Sequence, residues 1–423
     1  MRLDRAMPSS SPGSLSAPAV AVTPLDDERR TTALMGASVF VLLFAYYLLK
    51  TAREPLVLAL PNGPELKAYA GGAQAVALVA LVPMVDRLAR GTSRLLFGVL
   101  GFFLATLLLF AIGSALDWPI GFAFYVWLGV LNVSAVALFW GFANERFSRA
   151  AGERAFPRIA IGMTAGGFAG SFLAGRLFDA EKSPALVLCV AAGLLLVHLA
   201  LYLAVLPERG APVAEAEAPR AYEGARLLWR DPYLRAVALL LVLLNVATTT
   251  AEYTLGRRVV EALAGSDPRA IGAFYGDFYF GVNVAALALQ LLLAPRLVRR
   301  FGLSGVLVAA PVMAILAFGG LALGVPALAF AWLKGATNAA DYSLMNTGRA
   351  LLWLPTSRTA KYAAKHTADT LVVRLGDLLS AGLVFGGTSL AVGIEGFAWA
   401  GVGVAGAWLV LAVYLGRRYR AAG

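Results

Sequence analysis

Three charged side chains close the first apolar run of the sequence. Lys50, Arg53 and Glu54 stand at positions i, i+3 and i+4, so a helix places them on one face, which Tyr46 extends by one turn. Two bases beside an acid and a phenol are suited to binding an anionic group. The competing interpretation is a Lys–Glu pair at a helix end, with long side chains that reach water. Pro55 follows, and we expect it to end or kink this helix.

Other polar and ionisable residues interrupt later apolar runs. They are Asn144 and Glu145, Asn245 and Glu252, Asp277, Lys334 and Asp341, and Arg374 and Asp377. A charge in apolar surroundings is costly unless it is paired, so each one indicates either a binding site or an ion pair that locks two helices together.

We divide these residues between two predicted roles. Assigned to a substrate-binding site, with the first cluster, are Asn144, Glu145, Asn245, Glu252, Lys334, Asp341 and Arg374. A carboxyl in a dry site binds a proton more readily than in water, which makes Asp277, Asp341 and Asp377 candidates for proton coupling.

The composition is that of a membrane protein. Of 423 residues, 59% are hydrophobic and only 14% are charged, against about 25% charged in soluble domains. The mean hydropathy is +0.73. These values exclude a disordered chain and a soluble enzyme, and they predict an all-α polytopic fold with about twelve transmembrane helices.

The apolar runs fall into two groups of six. We predict a disordered cytosolic tail over 1–31, a six-helix half over 32–206, a cytosolic linker over 207–232, a second six-helix half over 233–416 and a short tail over 417–423. Two halves joined by a charged linker are typical of secondary transporters, whose substrate site lies between the halves.

The basic residues predict the orientation. With the N-terminus in the cytosol, 26 Lys and Arg residues fall on the cytosolic side and 6, Lys67 among them, on the other. This asymmetry places both termini inside. It also accounts for the net charge of +11 without a nucleic-acid partner, since basic loops face anionic lipid. The Arg- and Ala-rich composition suggests a bacterial inner membrane.

Residues for covalent or metal chemistry are scarce. The chain has one cysteine, Cys189, and two histidines, His198 and His366, so we expect no disulfide within the chain, no metal site and no cofactor. Glycines recur every fourth residue at 162, 166 and 170, a spacing that allows close helix packing.

Several segments resemble the nucleotide transporter family, the ATP/ADP translocases of intracellular bacteria and plastids. The strongest similarity lies in LFWGFANERFSRAAGERAFPRIAIGMTAGG (138–167). YYLLKTAREPLVL (46–58), NVATTTAEYTLGRR (245–258) and the segment 341–377, which begins DYSLMNTGRALLWLP, also resemble the family.

The resemblance implies a major-facilitator-like fold and exchange or uptake of nucleotides. It places Arg53, Glu145 and Glu252 at positions where the family has required charged residues. Directly before Tyr-Ser-Leu the family has a required lysine, whereas this chain has Asp341.

Three functions remain open at this stage. The first is a nucleotide antiporter that works by alternating access, and the second is a proton-coupled major-facilitator transporter of another, possibly anionic, solute. The third is a membrane sensor or scaffold that transports nothing. The partners expected are a small anionic substrate and the lipid bilayer, and the sequence is compatible with a monomer.

Overall fold

The architecture is helical throughout the part of the chain that the structure describes. This computed structural model describes residues 25–89, 93–147, 149–205, 221–356 and 364–422. All regular elements within those ranges are helices. The predicted all-α polytopic fold is therefore confirmed.

The first group of helices follows the apolar runs. Its members are α1 (Leu25–Leu58), α2 (Gly63–Ala89), α3 (Ser93–Ala115), α4 (Gly121–Arg146), α5 (Arg149–Asp179) and α6 (Pro184–Leu203). At the start of α6 the Ser183 hydroxyl accepts from the Leu186 N–H, and Pro184 occupies the first turn. Contrary to our expectation, α1 does not end at Pro55 but continues to Leu58.

The second group is less regular. It comprises α7 (Ala221–Arg230), α8 (Pro232–Ala262), α9 (Pro268–Ala288), α10 (Ala294–Ala322), α11 (Ala327–Ala340), α12 (Asn346–Leu352), α13 (Lys365–Thr367), α14 (Val373–Ser389) and α15 (Ile394–Ala422). Short π-helical segments join α9 to α10, α11 to α12 and α13 to α14. Gly302 interrupts α10, because its backbone is not helical there (φ +63°). Residues with a side chain rarely adopt that conformation.

Some predicted boundaries differ from the helices. The predicted tail 1–31 overlaps the start of α1, and residues 1–24 lie outside the described residues. In the predicted linker, 207–220 also lie outside them, and α7 occupies most of the rest. Helix α15 runs through most of the predicted tail 417–423. The division into two six-helix halves stays a prediction.

Hydrophobic packing is divided between three clusters. One is built from buried residues between Met35 and Val205, and a second from buried residues between Leu228 and Leu415. A third joins the two parts at the end where α1 stops, with Val57 and Leu58 against Leu255 and other side chains of the second group. Within the described part, eight helical segments are long and apolar enough to cross a membrane.

Glycines bring α1 and α5 into close contact. A Cβ atom on Gly162, Gly166 or Gly170 would overlap the backbone carbonyl oxygen of Gly36, Phe40 or Phe44 on α1, respectively. The predicted close packing at this spacing is therefore confirmed, and α1 and α5 form one rigid pair.

We expect Gly166→Ala to destabilise the protein by roughly 1–3 kcal/mol, because the added methyl group overpacks this contact. The measurement is the melting temperature of the purified protein in detergent. Gly193→Ala is the matched control, since no atom lies within 4 Å of a Cβ there, and it should leave the melting temperature unchanged or raise it. Equal melting temperatures for the two variants would contradict the packing argument.

Candidate functional site

A polar cavity lies between the first group of helices and the second. Its volume is about 210 Å³, somewhat below the roughly 300–1,000 Å³ of sites for drug-sized molecules. Helices α1, α2 and α4 form one wall, and α8, α9 and α11 form the other. Four basic side chains line it, namely Lys50, Arg53, Lys67 and Lys334.

Five side chains form a line of alternating charge beside this cavity. Glu54 binds two bases, with 2.6 Å from its carboxylate to Arg53 Nη2 and 2.6 Å to Lys67 Nζ. Glu252 binds Lys67 Nζ at 3.5 Å and Lys334 Nζ at 3.0 Å. We call Arg53, Glu54, Lys67, Glu252 and Lys334 the charge chain. Arg53, Glu54 and Lys67 belong to the first group of helices, whereas Glu252 and Lys334 belong to the second. The charge chain therefore joins the two groups.

Three members of the charge chain are buried, and Arg53 and Glu252 are 11% and 26% exposed. The side chains of Glu54, Lys67 and Lys334 are 0%, 3% and 1% exposed. The Tyr279 hydroxyl donates to Glu54 Oε1 at 2.9 Å, and the Asn338 amide donates to Glu252 Oε1 at 3.3 Å. Buried ions require this degree of pairing, because each leaves a large hydration energy behind.

Lys50 is held differently from the other bases of the cavity. Its ammonium lies 4.3 Å from the ring centre of Tyr279, 5.1 Å from that of Tyr47 and 5.8 Å from that of Tyr342. Among the described residues it has no carboxylate partner. Aromatic faces attract a cation without cancelling its charge. Lys50 therefore presents a net positive charge to the cavity.

Asp341 is the counterpart of opposite sign. It begins the π-helical segment Asp341–Met345 and lines the same cavity. Within the described ranges its carboxylate makes no hydrogen bond or ion pair. An ionised carboxylate only accepts hydrogen bonds, so Asp341 offers an acceptor to whatever occupies the cavity.

The structure brings together six of the predicted site residues. Lys50, Arg53, Glu252, Lys334 and Asp341 line the cavity, and Glu54 lies directly behind them. The competing interpretation of a Lys50–Glu54 pair at the end of α1 is wrong, because Glu54 binds Arg53 and Lys67 instead.

Other predicted site residues lie outside the cavity. Tyr46 lines a separate small apolar void with Leu42 and packs edge-on against Tyr47. The Asn245 amide donates to the Leu241 carbonyl at 3.0 Å. Arg374 and Asp377 form an ion pair of 2.9 Å on α14.

The end of α4 also stands apart from the cavity. Asn144 is exposed there and is not among the lining residues. The side chain of Glu145 lies outside the described residues.

Asp277 is likewise remote from the cavity. Its side chain is 61% exposed and pairs with Arg176 of α5 at 2.5 Å. Residues two apart on a helix point in nearly opposite directions, so Asp277 lies away from Tyr275 and Tyr279, which are buried on the cavity side. Tyr275 and Tyr279, four residues apart, share one face of α9, and Asp277 does not lie on it.

Sequence reasoning missed Lys67 and the tyrosines around Lys50. The count of basic residues places Lys67 on the outer side of the membrane. In the structure α2 begins four residues earlier, at Gly63, and Lys67 is buried. Lys67 directly precedes the apolar run that starts at residue 68, and that position was the available signal. Tyr125, whose ring centre lies 4.0 Å from the Arg53 guanidinium, carried no distinguishing signal in the sequence.

Comparison with curated proteins finds a distant relationship to nucleotide carriers. No protein-family profile matches the chain. The chain is 26% identical over 226 residues to the ADP,ATP carrier protein 1 of Chlamydia muridarum, a match that covers 47% of this chain and 42% of that carrier. The corresponding carrier of Chlamydia trachomatis is 25% identical over 226 residues. The chain thus matches less than half the length of these relatives.

Comparison with solved structures covers nearly the whole chain. The nucleoside transporter NupG superposes with a TM-score of 0.65 at 15% identity, over 92% of this chain and 98% of that one. A bacterial homologue of the iron transporter ferroportin, in an inward-facing state, gives a TM-score of 0.64 at 16% identity, over 94% and 99%.

At these identities the structural likeness establishes the fold alone. The resemblance seen in the sequence is confirmed as a diverged one, since both carriers match at about a quarter identity. The chain is therefore a multi-pass membrane protein with the fold of major-facilitator transporters and a diverged, nucleotide-carrier-like sequence.

Proposed function

We propose that this protein transports nucleotides, or closely related phosphate-bearing solutes, by alternating access. The observation that carries the proposal is Lys50, a cation without a carboxylate partner among the described residues, in a cavity between two groups of helices. A phosphate supplies the counter-charge that Lys50 lacks. The distant likeness to ADP,ATP carriers supports the same substrate class.

The tyrosine rings that line the cavity suit the rest of a nucleotide. Tyr125, Tyr279 and Tyr342 line the cavity, and bases of any identity stack on aromatic faces. The proposed arrangement is phosphate on Lys50 and base against a tyrosine. No covalent step is involved, since the substrate only binds and is released.

The charge chain serves as a gate in this proposal. It lies next to the hydrophobic cluster that joins the two groups at the end where α1 stops, so this end of the cavity is closed. Alternating access requires the contacts Lys67–Glu252 and Tyr279–Glu54 to part when that end opens. With both termini in the cytosol of a bacterium, that end faces away from the cytosol across the inner membrane.

We expect proteoliposomes that contain a mixture of unlabelled AMP, ADP and ATP to take up labelled adenine nucleotide, and to need the internal nucleotide to do so. Lys50→Gln should lower this uptake by about tenfold or more, because a charged hydrogen bond to phosphate is lost. The variant breaks no ion pair, so the protein should stay folded.

Lys182→Gln is the matched control, since Lys182 is exposed in the turn between α5 and α6 and should be dispensable. Near-normal uptake by folded Lys50→Gln protein would overturn the assignment of the phosphate site.

A double-mutant cycle tests the charge chain. Glu54→Gln or Lys67→Gln alone should cost about 3–5 kcal/mol of stability. The first leaves Arg53 without a carboxylate, and the second takes one of two bases from both Glu54 and Glu252. The double variant should cost clearly less than the sum of the two. The measurement is thermal unfolding of purified protein in detergent.

The exposed pair Glu28–Arg154, 2.7 Å apart, provides the comparison for this cycle. Its neutralisation should shift the melting temperature only slightly, since solvent screens the pair. Strictly additive losses at Glu54 and Lys67 would show that the two residues do not act together.

Asp341 favours a second candidate, a proton-coupled transporter of another anionic solute. A carboxyl without a partner among the described residues is suited to carrying a proton through the cavity. In that case a pH gradient should drive uptake, and Asp341→Asn should abolish the response to the gradient. Nucleotide uptake that is indifferent to the gradient would exclude this candidate.

A further inference from the structure

We propose that the cavity selects nucleotides of low charge, a monophosphate over a di- or triphosphate, and that Asp341 sets this limit. The inference rests on the proposed function and specifies its substrate class. It follows from the way charges are distributed between the charge chain and the two residues that stand outside it.

The charge chain has little positive charge to offer a substrate. It contains three bases and two acids, and every base touches a carboxylate within 3.5 Å. A highly charged substrate must either compete with Glu54 and Glu252 for these bases or bind without them. Each such exchange takes from Glu54 or Glu252 one of the two bases that pair with it, which is costly away from water.

Lys50 and Asp341 then decide the balance. Lys50 adds one positive charge to the cavity and Asp341 one negative charge. Together with the charge chain, the described residues of the site total four bases and three acids, a formal excess of +1. The base Arg349 forms its ion pair with Asp369 at 3.2 Å, is not among the residues that line the cavity, and is left out of this sum.

A phosphate monoester suits this balance. It carries about −1.5 to −2 charge near neutral pH, which is closer to the formal excess of +1 than the charge of a di- or triphosphate is. Each further phosphate adds roughly one more negative charge, and Lys50 is the one base among the described lining residues that no carboxylate holds. Repulsion from Asp341 acts on that added charge in a medium of low dielectric constant.

Asp341 also has a favourable role toward a nucleoside. As an acceptor it suits the ribose hydroxyls or the exocyclic amine of a base, which are hydrogen-bond donors. One carboxylate thus attracts the uncharged part of a mononucleotide and repels a long phosphate chain.

The test compares labelled AMP, ADP and ATP at equal concentration in proteoliposomes that contain the unlabelled mixture. Wild-type protein should take up AMP about tenfold or more faster than ATP. Asp341→Asn, which keeps the size of the side chain and removes its charge, should raise the ATP:AMP uptake ratio by about tenfold.

Asp277→Asn is the matched control, because the same chemical change is made at an exposed site outside the cavity. The ATP:AMP uptake ratio of this variant should equal that of wild type. The melting temperature of each variant reports folding, and the ATP:AMP ratio of the wild-type protein tests the selectivity without any variant. Wild-type uptake of ATP equal to or faster than that of AMP would overturn the inference while leaving nucleotide transport intact.

An ATP:AMP ratio unchanged in folded Asp341→Asn protein would likewise overturn the role of Asp341. Uptake of none of the three nucleotides by folded wild-type protein would instead remove the proposed function, and this inference with it.

Discussion

The charge chain is the interaction on which the site depends. Placing five ionised side chains together inside a membrane protein, three of them buried, is tolerable only when each one contacts a partner of opposite sign. Glu54 meets this condition with Arg53 and Lys67, and Glu252 meets it with Lys67 and Lys334. Lys67 therefore belongs to both carboxylates, and its two contacts tie α1 and α2 to α8. The charge chain therefore joins the two groups of helices beside the cavity that Lys50 lines.

Much of the fold and part of the site could be predicted from the sequence. Hydropathy located the helices, because a span must be apolar whatever packs against it. The i, i+3 and i+4 spacing placed Lys50, Arg53 and Glu54 together, since those residues belong to one helix. Spacing says nothing about contacts between helices, so it does not predict that Glu54 pairs with Lys67 of α2. Hydropathy does not detect a polar first turn, so it does not place Lys67 in α2. Asp277 lies within a predicted helix, but hydropathy does not tell which face of that helix borders the cavity.

The contacts within and between the groups of helices differ in kind. Gly162, Gly166 and Gly170 fix α1 against α5 by backbone contact, which has no second arrangement at low cost. Between the groups, α5 meets α9 where Gly175 lies against Gly276, and a hydrogen bond from Tyr47 to Asn283 at 3.2 Å joins α1 to α9. Polar contacts can be exchanged for water when they part, whereas backbone packing cannot. The contact between the groups therefore combines polar contacts that can part with close backbone packing at Gly175 and Gly276.

The bases of the site have two kinds of surroundings, which suit the two tasks that the proposed transporter needs, closing the cavity and binding the substrate. A base paired with a carboxylate holds helices together, but its charge is no longer available to a ligand. Lys50 is kept in place by tyrosine rings instead, which stabilise an ammonium through their quadrupole and leave its net charge intact. A negatively charged substrate that reaches Lys50 adds charge within reach of Tyr279, whose hydroxyl binds Glu54. Through that one ring, binding at Lys50 is linked to the charge chain, and occupancy of the cavity can influence the contacts that close it.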